Sequence, residues 1–130
     1  MKRSKKARQK EYLELELDAL ARIRCFERDG YKCVVAGCNR TNIQWCHVES
    51  RIYKSLQWDL DNNLTMCAGH HLWWHKNLRE SGQWFAATYP ERDAYLTIRK
   101  RMKTKIDRKE LLVALRAERN DREFLVQEGL

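Results

Sequence analysis

The densest chemistry in this 130-residue chain lies between Cys67 and His75. There Cys67-Ala-Gly-His70-His71-Leu-Trp-Trp-His75 sets one thiol and three imidazoles on neighbouring turns of chain. Upstream, Cys33 and Cys38 form a Cys-x4-Cys pair to stand beside Cys67-x2-His70. Thiolates and imidazoles hold zinc in a tetrahedron, and two short-spaced pairs from distant segments can close one such site. An ion bound there would pin a hairpin to the helix that follows it. Two rival ligand sets draw on the same region: His71 in place of His70, or Cys46 in place of a histidine. Once four zinc ligands are counted, His47, His71 and His75 remain. His71 and His75 lie four apart, one helical turn, and so can point the same way.

Hydrolysis of a phosphodiester needs a base for water and a cation on the scissile phosphate. A neutral imidazole suits the first task. One or two further side chains suffice to hold a hard divalent ion that keeps most of its waters. Asn62, in the segment before Cys67, can bind a metal through its amide oxygen or brace the loop that aims a base. Taken singly, each histidine reads as a packed or surface imidazole. Taken together with a metal scaffold and a basic surface, they read as a catalytic set.

The surface is basic: 26 Lys and Arg against 18 Asp and Glu give a net charge of +8. That balance favours a polyanion partner, with nucleic acid the usual one for a basic domain. Five cysteines, an odd count with four near histidines, fit metal ligation in a reducing compartment better than a disulfide framework. No apolar stretch follows the charged N-terminus as a secretory signal requires, and no run approaches membrane-spanning length. The expectation is therefore an intracellular, cytoplasmic protein with no membrane partner.

The elements that must position these residues are mostly helical. Residues 1–10 form a basic tail, with Lys2, Arg3, Lys5, Lys6, Arg8 and Lys10 and no acid. A solvated tail and a disordered segment that lies along a phosphate backbone are equally compatible with it. Residues 11–28 are rich in Leu, Glu and Ala and predict a helix, although Leu13 to Asp18 alternates as a strand would. Asp29-Gly30 ends it in a turn. Strand-like segments follow at 31–35 and 43–48 around a knuckle at 36–40, then a loop over 49–61 carrying Arg51, Tyr53 and Lys54. Cys67 to Lys76 predicts a helix ending before Ser81-Gly82. Pro90 opens another through about Arg101, with Tyr95, Ile98 and Met102 on one face. Asp107 and Glu110 resemble a capping box opening a last helix with Leu111, Leu112 and Leu115. A second basic cluster lies at Arg99, Lys100, Arg101, Lys103 and Lys105. The tryptophans at 45, 58, 73, 74 and 84 could stack on bases, but in a domain this small they read as core.

The order Cys-x4-Cys, His47, Asn62, Cys67-x2-His70-His71 resembles the HNH endonucleases of the His-Me finger, or ββα-metal, group. Phe26-Glu27-Arg28-Asp29-Gly30-Tyr31-Lys32-Cys33 resembles the lead-in to that family's first knuckle, and Asn62-Asn63-Leu64-Thr65-Met66-Cys67 its asparagine-to-cysteine stretch. The likeness spans about residues 24–80 and is closest to small phage-encoded proteins with a Trp-rich helix. It implies an α+β fold: a zinc-braced ββα finger within a core over 11–85 that includes the leading helix, and a C-terminal helical extension over 86–130. It implies that His47 is the general base, that His71 ligates a catalytic magnesium or manganese ion, and that His75 is an extra ligand or phosphate contact. Asn62 would orient the base loop or touch the metal, and Arg51, with Lys54 on the same loop, would contact DNA. Many family members carry Asp or His just before the base, whereas this chain has Cys46. A thiolate is a poor ligand for magnesium, which shifts the expectation toward His71, His75, Asn62 and water, or toward a softer transition metal.

The expected function is metal-dependent cleavage of DNA by a monomer or homodimer. Two other classes fit parts of the sequence. A zinc-dependent nucleic-acid-binding module without catalysis uses Cys33, Cys38, Cys67 and His70 but gives His47 no task. A partner-binding protein would use the C-terminal helices.

Overall fold

The computed structural model describes residues 3–102 and 104–127, without the side chains of 118–127. Lys2 and Lys103 of the basic clusters, and residues 128–130 of the expected extension, lie outside the described residues. The class is α+β, as expected: five α-helices and one two-stranded antiparallel sheet among the described residues. None of the described helices is long and apolar enough to cross a membrane.

Helix α1 runs Lys5–Arg28. It starts within the expected basic tail because Ser4 Oγ accepts the Ala7 N–H at 3.1 Å, so residues 5–10 are helical. Its end is a Schellman closure. Gly30 takes φ +69°, its N–H bonds the Glu27 carbonyl at 3.2 Å, and the Tyr31 N–H bonds the Phe26 carbonyl at 2.8 Å. The Phe26 and Tyr31 rings meet at 6.3 Å, the apolar contact that accompanies this motif.

The chain divides into two compact units, and the division differs from the expected boundary after residue 85. One unit joins Met1–Arg24 to Ile106–Leu130. Here Leu17 and Ala21 of α1 and Leu112 and Leu115 of α5 (Arg108–Gln127) are buried. Arg24 Nε donates to the Leu115 carbonyl at 3.1 Å, and Arg108 pairs with Glu14 at 2.8 Å. Asp107 caps α5 by accepting the Glu110 N–H at 3.1 Å.

The other unit, Cys25–Lys105, holds the candidate site. Strand β1 (Ile43–His47) pairs with β2 (Asn63–Cys67), His47 opposite Asn63 and Ile43 opposite Cys67. Helix α2 (Ala68–Lys76) follows directly, giving the order β–β–α. No strand forms over 31–35. The Val34 N–H reaches the Thr65 carbonyl at 2.9 Å, and the chain then turns at Gly37, φ +78°. The partner of β1 is β2, whose five residues are all buried and carry no alternation to read.

Helix α3 (Leu78–Thr88) runs through the expected stop at Ser81-Gly82. Ser81 is buried and its hydroxyl donates to the carbonyls of Trp74 and Leu78, so it spends its polar group inside the helical array. Burial of Phe85 outweighs the local preference of Ser-Gly for a turn. Helix α4 (Pro90–Arg99) begins at Pro90 as expected, but its inward residue is Leu96, while Tyr95, Ile98 and Met102 are exposed. Arg92 ties α4 into this unit by donating to the carbonyls of Asp61 and Asn63 at 3.0 and 2.8 Å and lying over the Tyr89 ring at 4.6 Å. That anchoring is why residues 86–105 belong here and not with the last helix. Trp73, Trp74, Trp84, Phe85 and Tyr89 pack ring against ring at centroid distances of 5.4–6.4 Å, so this group is core.

Candidate metal centre and active site

Cys33 and Cys38 on the knuckle, Cys67 at the end of β2 and His70 on the first turn of α2 bring their ligand atoms within 4.8 Å of one another. Cys38 Sγ lies 3.9 Å from Cys67 Sγ, and His70 Nδ1 lies 3.4 Å from Cys33 Sγ and 3.2 Å from Cys67 Sγ. A zinc tetrahedron with sulfur at ~2.3 Å and nitrogen at ~2.0 Å has edges of about 3.5–3.8 Å. The four residues therefore fit one metal ion. Cys67 also caps α2, its sulfur accepting the His70 N–H at 3.3 Å. Burial opposes ionisation of this thiol, but hydrogen bonds from the His70 backbone and from the Cys38, His70 and Cys33 side chains outweigh it and hold Cys67 at about 6. A thiol already inclined to be a thiolate is what a metal ligand requires.

The rival ligand sets do not form. Cys46 is buried on β1 outside the four-residue group, and burial pushes its thiol up to about 12. His71 turns away from the cysteines toward Gln44. Cys25 is a buried thiol, pushed up by burial to about 11 and 3.5 Å from Thr65 Oγ1.

On the same unit, His47, His71 and His75 line a single cleft of about 520 Å³. Arg51 and Ser50 share it, Trp45, Val48, Trp74 and Leu78 wall it, and no carboxylate among the described residues lines it. His47 Nε2 lies 3.0 Å from the Gln57 carbonyl. A carbonyl can only accept, so Nε2 carries a proton, and in the neutral ring the lone pair is on Nδ1. Trp45, two residues earlier on the strand, packs against the ring at 4.3 Å and carries the Arg51 guanidinium 5.6 Å above its own face.

Across the cleft, His71 Nδ1 donates to Gln44 Oε1 at 2.7 Å, which leaves the lone pair on Nε2. That atom stands 3.0 Å from His75 Nε2. That is hydrogen-bond distance, and it is also the ~3.0 Å between ligands at ~2.1 Å on adjacent corners of an octahedron. Burial first, and the facing His75 second, hold His71 below the ordinary imidazole range and keep it neutral near pH 7.

Asn62 sits apart from the cleft lining and is fully buried. Its Oδ1 accepts the Glu49 N–H at 2.7 Å, and its Nδ2 donates to the carbonyls of Glu49 at 3.2 Å and Leu56 at 3.0 Å. These bonds tie Asn62 to the loop after His47, and Asn62 is not among the residues lining the cleft. Asn62→Ala leaves those three backbone groups without their partner and is expected to cost about 2–4 kcal/mol, read as a lower urea midpoint. Lys54 is also outside the cleft lining, its ammonium over the Trp58 ring at 5.2 Å. In the second basic cluster, Lys100 pairs with Glu49 at 3.5 Å.

Three contributors were not singled out from the sequence. The Gln57 carbonyl fixes the His47 tautomer. Asn63, opposite His47 in the sheet, donates to that same carbonyl at 3.3 Å. Gln44 holds His71. Only Asn63 gave a signal, as the second asparagine of Asn62-Asn63. Compared with models of protein families, with curated proteins and with solved structures, the chain matches none.

Proposed function

We propose that this chain is a metal-dependent DNA endonuclease of the HNH, or His-Me finger, type. The observation that carries the reading is the convergence of His47, His71, His75 and Arg51 on one cleft. His47 Nδ1 takes the proton from the attacking water, with Nε2 anchored on the Gln57 carbonyl. Arg51 faces the phosphate that is cut or its neighbour, and Asn62 keeps the intervening loop in register through Glu49. His71 and His75 hold a divalent ion. When bound, that ion would neutralise the charge that develops on the phosphate. Magnesium or manganese would rely on water for most of their ligands; two nitrogens and no carboxylate favour a softer transition metal. Cys33, Cys38, Cys67 and His70 hold a structural zinc that braces the knuckle against α2. Lys and Arg outside the cleft supply salt-dependent affinity for the DNA backbone.

Supercoiled plasmid incubated with the zinc-loaded protein and magnesium, manganese, cobalt or nickel tests this directly. Nicked or linear product with at least one of these ions, and none without them, is the expected result; nicked against linear product separates single-strand from double-strand cutting by a monomer or homodimer. If no ion supports cleavage while DNA is still bound, the chain is a zinc-dependent binding module instead.

A further inference from the structure

We infer that Gln44 is a positioning residue for the metal site formed by His71 and His75, a role that rests on the nuclease reading. Gln44 lies on β1, opposite Met66, and reaches from the sheet to α2 to accept the His71 Nδ1 proton at 2.7 Å. A neutral imidazole can carry its proton on either nitrogen, and only the tautomer with its lone pair on Nε2 can bind an ion beside His75. The amide oxygen of Gln44 selects that tautomer and fixes the ring's rotation at the same time. In that orientation His71 Nε2 faces His75 Nε2 at 3.0 Å, so the two nitrogens stand side by side. His75 is exposed and lies one turn further along the same helix, so it is the His71 hydrogen bond to Gln44 that ties the pair to the sheet. A carbonyl or carboxylate behind a ligating histidine commonly sets ligand orientation and basicity, and its loss weakens metal binding by about 10–100-fold. Gln44 itself is exposed on the strand, so replacing it removes the hydrogen bond and leaves the core intact.

The test uses full-length zinc-loaded protein titrated with nickel(II) by calorimetry. Gln44→Ala is expected to bind nickel about 10–100-fold more weakly than the parent, with zinc content and thermal midpoint unchanged. Gln44→Glu, whose carboxylate accepts the same proton, is expected to restore binding. Long-range proton–nitrogen spectra at pH 8, before nickel is added, give an independent readout. His71 should be a single Nδ1–H tautomer in the parent and a mixture in Gln44→Ala. Nickel affinity in Gln44→Ala within twofold of the parent, or a Gln44→Glu protein as weak as the alanine variant, overturns the role. His71→Ala separates the two levels of the claim. If it loses nickel binding while Gln44→Ala does not, Gln44 alone is excluded. If the parent takes up no nickel beyond its zinc, the metal site and the role of Gln44 fall together.

Discussion

Serine at position 67 is expected to leave residues 25–105 without a stable fold. Cys67 closes β2, caps α2 through the His70 N–H, and supplies one of four clustered ligand atoms. A serine hydroxyl can still cap the helix, but it is a far weaker zinc ligand than a thiolate. Structural zinc in small domains contributes about 10–16 kcal/mol at neutral pH, as much as or more than the ~5–15 kcal/mol that separates a typical folded domain from its unfolded chain. Loss of the near-ultraviolet circular dichroism of the packed tryptophans, together with loss of bound zinc, is the predicted signature. A chelator should produce the same change in the parent protein. A Cys67→Ser protein that melts at the parent temperature without bound metal would remove the structural role of the centre.

What could be read from the chain was whatever depended on near neighbours. Cys33 with Cys38 and Cys67 with His70 are short-spaced pairs, and their four ligand atoms do cluster. The i,i+4 spacing of His71 and His75 sufficed to put both rings on one side of α2. Caps and breakers were equally local: Gly30 closes α1, Pro90 opens α4 and Asp107 caps α5. Relations made only by the tertiary fold were not legible. Gln44 and His71 are 27 residues apart, and nothing in either neighbourhood announces their hydrogen bond. Strand β2 is buried throughout, so the period-2 signal on which strand recognition rests is absent from it. Helix α3 was hidden by Ser81-Gly82, whose local preference for a turn is overridden by the burial of Ser81 and Phe85. The pairing of the first helix with the last, through Glu14 and Arg108, joins residues 94 positions apart. The neighbours Asn62 and Asn63 illustrate the same limit at its finest scale. Adjacent residues of one type fix different things, Asn62 the loop backbone at Glu49 and Leu56, Asn63 the carbonyl that anchors His47.

His47→Gln is the sharpest test of the proposed chemistry, and it is expected to cut DNA about 10²–10⁴-fold more slowly than the parent. Alanine at this position would remove the general base but also take one of its donors from the Gln57 carbonyl and open space beside Trp45, confusing chemistry with packing. The glutamine amide can still donate to that carbonyl, so the loop keeps its anchor, yet the side chain has no nitrogen basic enough to take a proton from water. Zinc content, thermal midpoint and nickel affinity at His71 and His75 should therefore match the parent. DNA affinity and its salt dependence should match as well, because contacts with the phosphate backbone come from Lys and Arg. Arg51→Ala provides the contrast: it removes a cation from the cleft, so it should weaken binding, flatten the salt dependence and slow cleavage together. A His47→Gln protein that cuts at the parent rate would show that water is activated by another group. One that loses DNA binding in step with cleavage would make His47 a contact and not a base. Only an intact metal centre and unchanged DNA affinity with failed hydrolysis assign the proton transfer to the Nδ1 of His47.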